Sequence, residues 1–195
     1  MAASTIAPHL LDVMDQDILP MTERGVAAGN KIFGAALLRK SDLSLVIGGT
    51  NAETDNPLLH GEVSTLNQFY EIPDRPSTRD LLFLSTHEPC PLCLSAITWA
   101  GFDNFYYFFT YEDSRDAFGI PHDLKILKEV FGVDDGGYRR SNAFWTCYSI
   151  ADLVDAEPEP LRTELRKRED RIRMRYAALS QQYQDSKGDN DIPLN

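Results

Sequence analysis

The middle of the chain alternates short apolar runs with helix-forming segments, and this alternation constrains the fold more than any other feature. Residues 81–85 and 105–109 are continuous apolar runs, which are typical of strands buried on both faces. Helices are predicted after them over residues 91–99 and 121–131, and a short strand over residues 143–150. Strands connected through helices form parallel crossovers, so we expect a sheet that is covered by helices.

The first third of the chain adds a helix and a hairpin to this unit. Residues 10–29 are predicted to be helical, with Pro20 as a start or a kink. The apolar runs 32–39 and 43–47 flank a polar turn, and the second run is closed by Gly48-Gly49, which predicts a β-hairpin. Asn56-Pro57 then predicts the start of a helix that runs to residue 70. We therefore predict an α/β fold, a three-layer α/β/α sandwich with a mixed central sheet.

The size and charge of the chain limit its partners. Its 195 residues suffice for one domain with a full core, and its net charge of −11 leaves no basic footprint for nucleic acid. We therefore expect a small-molecule substrate and no nucleic-acid partner. No apolar stretch approaches the about 18 residues of a membrane span, and the first residues lack the regions of a secretory leader. The expected location is cytoplasmic, with a nuclear location left open.

The C-terminal part of the chain has a different character. Pro158 and Pro160 separate a main domain, residues 1–157, from an amphipathic helix predicted over residues 158–186. The polar residues 187–195 are predicted to be a disordered tail. The helix carries an apolar stripe that must pack on the domain or on another subunit, and on this basis we predict a homodimer. The stripe consists of Leu165, Ile172 and Leu179. Arginines between residues 162 and 175 leave open a phosphate-contacting face, although charge runs on helices are usually solvated.

Two short motifs carry the chemistry. His60-Gly61-Glu62 and Pro89-Cys90-Pro91-Leu92-Cys93 each lie at the start of a predicted helix, where partial positive charge favours the thiolate form of cysteine. Two cysteines and one histidine from separate helices supply three ligands, and the tetrahedral position left open is typical of catalytic zinc. Glu62 lies two residues after His60, so it does not share a helix face with it. It is therefore expected to reach the zinc-bound water and to move protons.

Two other interpretations of the same residues stay open. Cys90-Pro91-Leu92-Cys93 between a strand and a helix is also typical of a thiol redox site. Alternatively, Cys147 could supply a fourth ligand to a structural zinc, which would make the chain a non-catalytic protein or the partner of an active subunit. The redox interpretation leaves His60-Gly61-Glu62 without a role.

Four segments together resemble the cytidine-deaminase-like superfamily. Phe33-Gly34-Ala35-Ala36 resembles its first strand, and Gly49-Thr50-Asn51 resembles the end of its second. Residues 56–62 and 88–93 resemble its two metal-binding helix starts, with the H-x-E and P-C-x-x-C pattern of zinc deaminases. The resemblance covers about residues 15–112 and is greatest to the branch of guanine deaminases, cytosine deaminases and transfer-RNA adenosine deaminases. Gly61 stands where alanine is common in this branch.

The resemblance implies a zinc-dependent hydrolase that releases ammonia from a free nucleobase or nucleoside. It implies zinc ligation by His60, Cys90 and Cys93, with Glu62 as the catalytic residue. The substrate contacts that it implies are Asn51, the backbone N–H of Gly61, Phe33 and Glu88. Members of this fold commonly pair, which agrees with the expected homodimer. Guanine-, cytosine- and adenine-type rings, and less usual rings such as a pterin, all stay possible at this point.

Overall fold

A five-stranded mixed sheet lies at the centre of the computed structural model, which describes residues 6–195. Its strands are β1 (Gly34–Arg39), β2 (Leu45–Thr50), β3 (Leu81–His87), β4 (Asn104–Phe109) and β5 (Thr146–Ser149). They lie in the order β2-β1-β3-β4-β5. β1 is antiparallel to both β2 and β3, whereas β3, β4 and β5 run parallel to one another. The predicted mixed sheet is therefore confirmed.

Helices cover both faces of the sheet and complete the three predicted layers. One face is covered by α1 (Ile6–Val13), α2 (Leu19–Ala27), α7 (Ile150–Asp155) and α8 (Leu161–Ser186), and a π-helical turn joins the first two. The other face is covered by α3 (Gly61–Tyr70) and α4 (Pro91–Trp99). Two further helices, α5 (Tyr111–Asp116) and α6 (His122–Phe131), lie between β4 and β5 in the chain. The α/β/α prediction is confirmed.

Side chains of the central strands alternate between two apolar cores, as the pleat of a strand requires. Leu82 and Leu84 of β3 face the core under α1, α2 and α8, whereas Leu81 and Phe83 face the core under α3 and α4. β3 is buried along its whole length, which explains why its sequence is continuously apolar.

Several element boundaries differ from the sequence predictions. The helix start predicted at Asn56-Pro57 is wrong. Asn56 accepts a hydrogen bond from the backbone N of Leu58 at 3.0 Å and forms a turn, and α3 begins only at Gly61. β2 continues through Gly48 and Gly49 to Thr50. A Cβ at Gly49 would lie 2.6 Å from Thr65 Oγ1 and 3.3 Å from Thr65 Cα, so close packing of α3 on β2, not a turn, requires this glycine. The short helices α5 and α7 were not predicted.

The apolar stripe of α8 is buried within the chain itself. Leu165 is fully buried and Ile172 is 2 % exposed, because α8 packs on α1, α2 and α7. The arginines beside the stripe pair with acidic residues of the same chain, namely Arg168 with Asp12, Arg173 with Asp113, and Arg175 with Asp15 and Glu23. The stripe is therefore covered without a second subunit, so it no longer supports a homodimer, which stays a prediction. These ion pairs also largely neutralise the charge of the candidate phosphate-contacting face.

The chain after α8 lies against the domain. Composition predicts disorder for residues 187–195, whereas in the structure Ile192 is only 7 % exposed. Asn190 donates a hydrogen bond from Nδ2 to the backbone O of Gly29 at 2.9 Å. The division into a domain, a helix and a tail stays a prediction. Among the helices described from residue 6 onward, none has the length and apolar character needed to cross a membrane.

Candidate active site

The two sequence motifs meet where four elements converge. β1 is antiparallel to β3, so the start of β1 lies beside the end of β3, and α3 and α4 begin at this same edge. His60 is the residue before α3, and Cys90 is the residue before α4. Cys93 lies in the first turn of α4, whose start at Pro91 agrees with the prediction. The chain thus brings three predicted ligands to one point from two helix starts.

The three donor atoms have separations that suit a zinc ion. His60 Nδ1 lies 3.4 Å from Cys90 Sγ and 3.7 Å from Cys93 Sγ, and all three ligand atoms lie within 4.8 Å of one another. Bond lengths of about 2.3 Å for sulfur and about 2.0 Å for nitrogen in a tetrahedral site place nitrogen and sulfur about 3.6 Å apart. The donor set and its spacing therefore fit zinc, with His60 bound through Nδ1.

The electrostatics of the group also favour a cation. Hydrogen bonds from Cys93 and His60 hold the pKa of Cys90 well below its usual range, whereas burial raises the pKa of Cys93. Although burial disfavours its charged form, the hydrogen bond to Cys90 and the neighbouring negative charges raise the pKa of His60 to about 9. The anionic form of Cys90 is thus favoured beside His60, and a bound cation would take the place of the His60 proton.

Glu62 lies directly behind the donor group. Its Oε1 accepts a hydrogen bond from Ser85 Oγ at 2.9 Å, and its Oε2 accepts one from Cys93 Sγ at 3.2 Å. The side chain is fully buried, and this burial raises the pKa of its carboxyl group. A carboxylate that touches a metal ligand and has a raised pKa is suited to accept and return a proton.

Two of the predicted substrate contacts bind each other. Asn51 Oδ1 accepts a hydrogen bond from the backbone N of Gly61 at 2.6 Å, and its Nδ2 donates to Glu53 Oε2 at 2.7 Å. The Gly61 N–H, expected to contact the ring, is therefore engaged by Asn51. An amide has two donor hydrogens and two acceptor lone pairs, so Asn51 keeps one of each for a ligand.

Gly61 also makes a close backbone contact that the sequence did not reveal. A Cβ at this position would lie 2.6 Å from Cα of Gly34, 2.9 Å from its N and 3.0 Å from the carbonyl carbon of Phe33. These are backbone atoms of the segment that leads into β1, so they cannot rotate away. Glycine here lets the start of α3 approach β1 closely enough to place His60 and Glu62 beside β3.

A cavity of about 620 Å³ opens in front of the donor group. The His60 imidazole, the Asn51 amide and the ring of Phe33 line it, and the Phe33 ring stacks on His87 with centroids 3.6 Å apart. The mouth is apolar and includes residues of α6 and of the C-terminal tail: Ile126, Val130, Phe131, Ile192, Pro193 and Leu194. Its volume lies within the range of small-molecule pockets, about 300–1,000 Å³.

Five ionisable side chains of this cavity were missed by the sequence reasoning: Lys31, Glu53, His87, His122 and Asp123. Within the described part of the chain, neither Asp123 Oδ2 nor His87 Nδ1 has a hydrogen-bond partner. Burial raises the pKa of Asp123 and lowers that of His87 to about 3, so both groups favour their neutral forms. None of these residues belongs to a sequence motif, so the sequence alone did not indicate that they line the site.

Glu88 lies outside the cavity lining, in contrast to its predicted role as a substrate contact. Its carboxylate accepts hydrogen bonds from Tyr138 Oη at 2.7 Å and from Arg140 Nη2 at 3.0 Å. Its neighbour His87 lines the cavity instead, because adjacent residues of an extended chain point to opposite sides. Cys147, the alternative fourth ligand, lies on β5 with its sulfur 3.8 Å from Tyr138 Oη, outside the donor group found among residues 6–195.

Comparisons with known proteins agree with this site. A guanine deaminase from Bacillus subtilis (strain 168) is 32 % identical over 108 residues, which cover 54 % of this chain and 67 % of that protein. The X-ray structure of guanine deaminase from Bacillus subtilis superposes with a TM-score of 0.52 at 24 % identity, covering 68 % of this chain and 80 % of that one.

A mutant of the protein NE0047 in complex with 8-azaguanine shares the fold, with a TM-score of 0.52 at 17 % identity. It covers 87 % of this chain and 84 % of that one. The family model for the cytidine and deoxycytidylate deaminase zinc-binding region matches residues 11–109, a range that includes all three donor residues and Glu62. With this match over half of its length, the chain belongs to the cytidine and deoxycytidylate deaminase zinc-binding family.

Proposed function

We propose that the protein is a zinc-dependent hydrolytic deaminase that removes an amino group from a free nucleobase or nucleoside and releases ammonia. One observation carries the proposal: the His60, Cys90 and Cys93 donors meet within 4.8 Å of one another, with Glu62 in direct contact with Cys93. Neither the donors nor Glu62 alone would distinguish a catalytic from a structural site. Three protein donors leave one tetrahedral position open, as in catalytic zinc sites.

His60, Cys90 and Cys93 would hold the zinc ion, which when bound supplies a water nucleophile at neutral pH. Glu62 is the group that moves protons. As a metal ligand Cys93 would be a thiolate, so Glu62 Oε2 would no longer engage its proton and would be free to accept one from water. Glu62 would pass this first proton to a ring nitrogen as the hydroxyl adds to the ring carbon. It would then carry the second proton, from that hydroxyl, to the amine, which leaves as ammonia. Ser85 continues to hold Glu62 Oε1, which keeps the carboxylate in place during these transfers.

The cavity supplies the groups that would hold a flat, polar ring. Asn51 offers one donor and one acceptor, and the Phe33 side chain, stacked on His87, offers an apolar wall for the ring. Asp123 offers a carboxyl group whose Oδ2 is without a partner among the residues described. Such a wall with a few convergent polar groups is the usual composition of a small-molecule site. The Gly61 N–H already donates to Asn51 Oδ1. In this proposal it contacts the ring only when the ring displaces Asn51 Oδ1 from that N–H.

Two further observations support a small heterocycle over nucleic acid. The net charge of −11 opposes a polyanion, and arginines of α8 are paired within the chain. The curated relative is a guanine deaminase, and a structural neighbour was crystallised with 8-azaguanine. A guanine-type ring is therefore the first substrate to test, before cytosine- and adenine-type rings and their nucleosides. A cytoplasmic location stays part of the proposal.

The test is ammonia release by the zinc-loaded protein across a panel of bases, nucleosides and nucleotides. We expect turnover of at least one base or nucleoside, one zinc per chain, and loss of zinc in Cys90→Ala. The Glu62→Gln variant keeps the shape of the side chain but cannot shuttle a proton, so its rate should fall about 10²–10⁴-fold while zinc is retained.

Two results would contradict the proposal. A zinc-free protein with a Cys90–Cys93 disulfide would favour the thiol redox interpretation. A zinc-loaded protein that is inactive on the whole panel would favour a structural zinc or a partner subunit.

A further inference from the structure

A buried carboxylate of the cavity has no part in the mechanism above. Glu53 belongs to the segment between β2 and α3, and only 3 % of the residue is exposed. A buried carboxylate is costly unless charged or polar partners surround it. Its partners are therefore informative about its role.

Glu53 faces three groups of the site with its two oxygens. Oε1 accepts a hydrogen bond from Lys31 Nζ at 2.8 Å, and Oε2 accepts one from Asn51 Nδ2 at 2.7 Å. Oε1 also lies 3.7 Å from Nε2 of His60, the ring nitrogen on the far side from the two sulfurs. One carboxylate thus faces both a metal ligand and a substrate contact.

The contact with Asn51 fixes which way the amide points. An ionised carboxylate only accepts hydrogen bonds, so the Asn51 NH₂ group must face Glu53. The Asn51 oxygen is then directed to the Gly61 N–H, which it engages at 2.6 Å. With the amide reversed, two pairs of like groups would meet: oxygen against carboxylate and NH₂ against N–H. Glu53 therefore sets the donor and acceptor pattern that Asn51 presents to a ring.

The contact with His60 has a corresponding effect on the metal side. At 3.7 Å it is an electrostatic attraction and not a hydrogen bond. Metal-binding histidines usually direct their second ring N–H to a carboxylate, a carbonyl or water, which fixes the ring orientation and makes the ligand more basic. Glu53 is placed to favour the proton on Nε2, and this leaves Nδ1 free to ligate.

Lys31 balances the charge of this arrangement. Its side chain is 7 % exposed and that of Glu53 is 2 % exposed, so the two form a buried ion pair. Removing one member of such a pair leaves an unpaired buried charge, whereas removing both does not. The pair therefore offers a way to separate a loss of stability from a loss of function.

We propose that Glu53, held in place by Lys31, is a positioning residue that orients both the Asn51 amide and the His60 imidazole. The inference rests on the proposed function, because it takes His60 as a metal ligand and Asn51 as a substrate contact. It adds a link between the two: a single carboxylate orients both the residue that contacts the substrate and the residue that binds the metal. Substitution of Glu53 should change metal affinity and substrate affinity together.

The first measurement is zinc affinity of Glu53→Gln, obtained by competition with a chromophoric chelator in the absence of substrate. Loss of a partner behind a metal ligand typically weakens metal binding about 10–100-fold, and we expect a loss within that range. Glu71→Gln is the matched control, since Glu71 is exposed at the end of α3 and the substitution is the same. Its zinc affinity should equal that of the wild type.

The second measurement separates positioning from stability. Glu53→Gln leaves Lys31 buried without its counter-charge, so its melting temperature should fall. The double variant Glu53→Gln/Lys31→Met removes both charges and should recover most of that melting temperature. Zinc affinity should nevertheless stay as low as in Glu53→Gln, because the carboxylate is still missing. Recovery of zinc affinity together with melting temperature would show a purely structural role and would overturn the proposal.

The third measurement is a steady-state analysis at saturating zinc. With the metal site filled, Glu53→Gln should raise KM more than it lowers kcat, because the orientation of Asn51 is lost while Glu62 is intact. A zinc affinity and a KM equal to those of the wild type would overturn the proposal but leave the deaminase function standing. A wild-type protein that binds no zinc would instead overturn both.

Discussion

Gly61→Ala is a small substitution from which the structure predicts a large effect. The added Cβ would lie 2.6 Å from Cα of Gly34, whereas ordinary contacts lie at 3.4–4 Å, so the start of α3 must move away from β1 by roughly 1 Å. Overpacking of this kind costs about 1–3 kcal/mol. The helix preference of alanine over glycine offsets up to about 1 kcal/mol. With the middle of the first range, about 2 kcal/mol, less this offset, the free energy of unfolding should decrease by about 1–2 kcal/mol, which lowers the melting temperature by about 2–8 °C.

The same movement should also weaken zinc binding, because metal ligands tolerate displacements of only about 0.2 Å. His60 directly precedes Gly61 and would move relative to both cysteines, and the 2.6 Å hydrogen bond from the Gly61 N–H to Asn51 would lengthen. The assays are thermal unfolding of the zinc-free protein by circular dichroism and zinc competition with a chelator. Gly188→Ala is the matched control, since nothing lies within 4 Å of a Cβ at that position. A Gly61→Ala protein with wild-type melting temperature and zinc affinity would refute the reasoning.

Three further predictions concern the core and the cavity. Leu165→Ala, at a fully buried position of α8, should lower the free energy of unfolding by about 2–5 kcal/mol in urea denaturation, and a smaller loss would mean that α8 is loosely packed. Burial lowers the pKa of His87 to about 3, so the unfolded chain binds a proton that the folded chain excludes. Stability should fall as pH decreases from about 6.5 towards 3, and His87→Phe should flatten this dependence in unfolding curves measured across that range. Asp123→Ala removes a buried carboxyl oxygen that has no partner among residues 6–195, so it should raise the melting temperature and also raise KM. A KM equal to that of the wild type would remove Asp123 from the substrate site.

The start of α4 at Pro91 was predicted correctly because its cause is local. Pro91 fixes the first turn of α4, and this places Cys90 and Cys93 on one helix start without help from the rest of the fold. Pro57 offers the same signal, but Asn56 forms a turn with Leu58 and delays the helix to Gly61. Pro57 favours a helix start and Asn56 favours a turn, and only the packing of the whole chain determines which of the two forms.

The parts that were missed depend on distant partners. Lys31 and Glu53 are separated by 22 positions, and each looks like an ordinary charged residue of a polar segment. Glu88 was predicted to contact substrate because it is near Cys90 in sequence, yet Tyr138 and Arg140, about 50 positions away, engage it. Burial and pairing of charges arise only when the sheet is assembled, so a motif search identifies candidate ligands but not the partners that surround them in the fold.

The long C-terminal helix has a consequence for where the folding unit ends. The family match stops at residue 109, yet α8 contributes five buried side chains to the core beneath β1: Leu165, Ile172, Tyr176, Leu179 and Tyr183. At about 1.5–3 kcal/mol for each, their burial is comparable to the about 5–15 kcal/mol by which a typical protein is stable. A fragment cut at the edge of the homologous region would therefore lose its fold as well as its tail. The first and last helices pack on each other, so the region matched by the family model is one part of a larger cooperative unit.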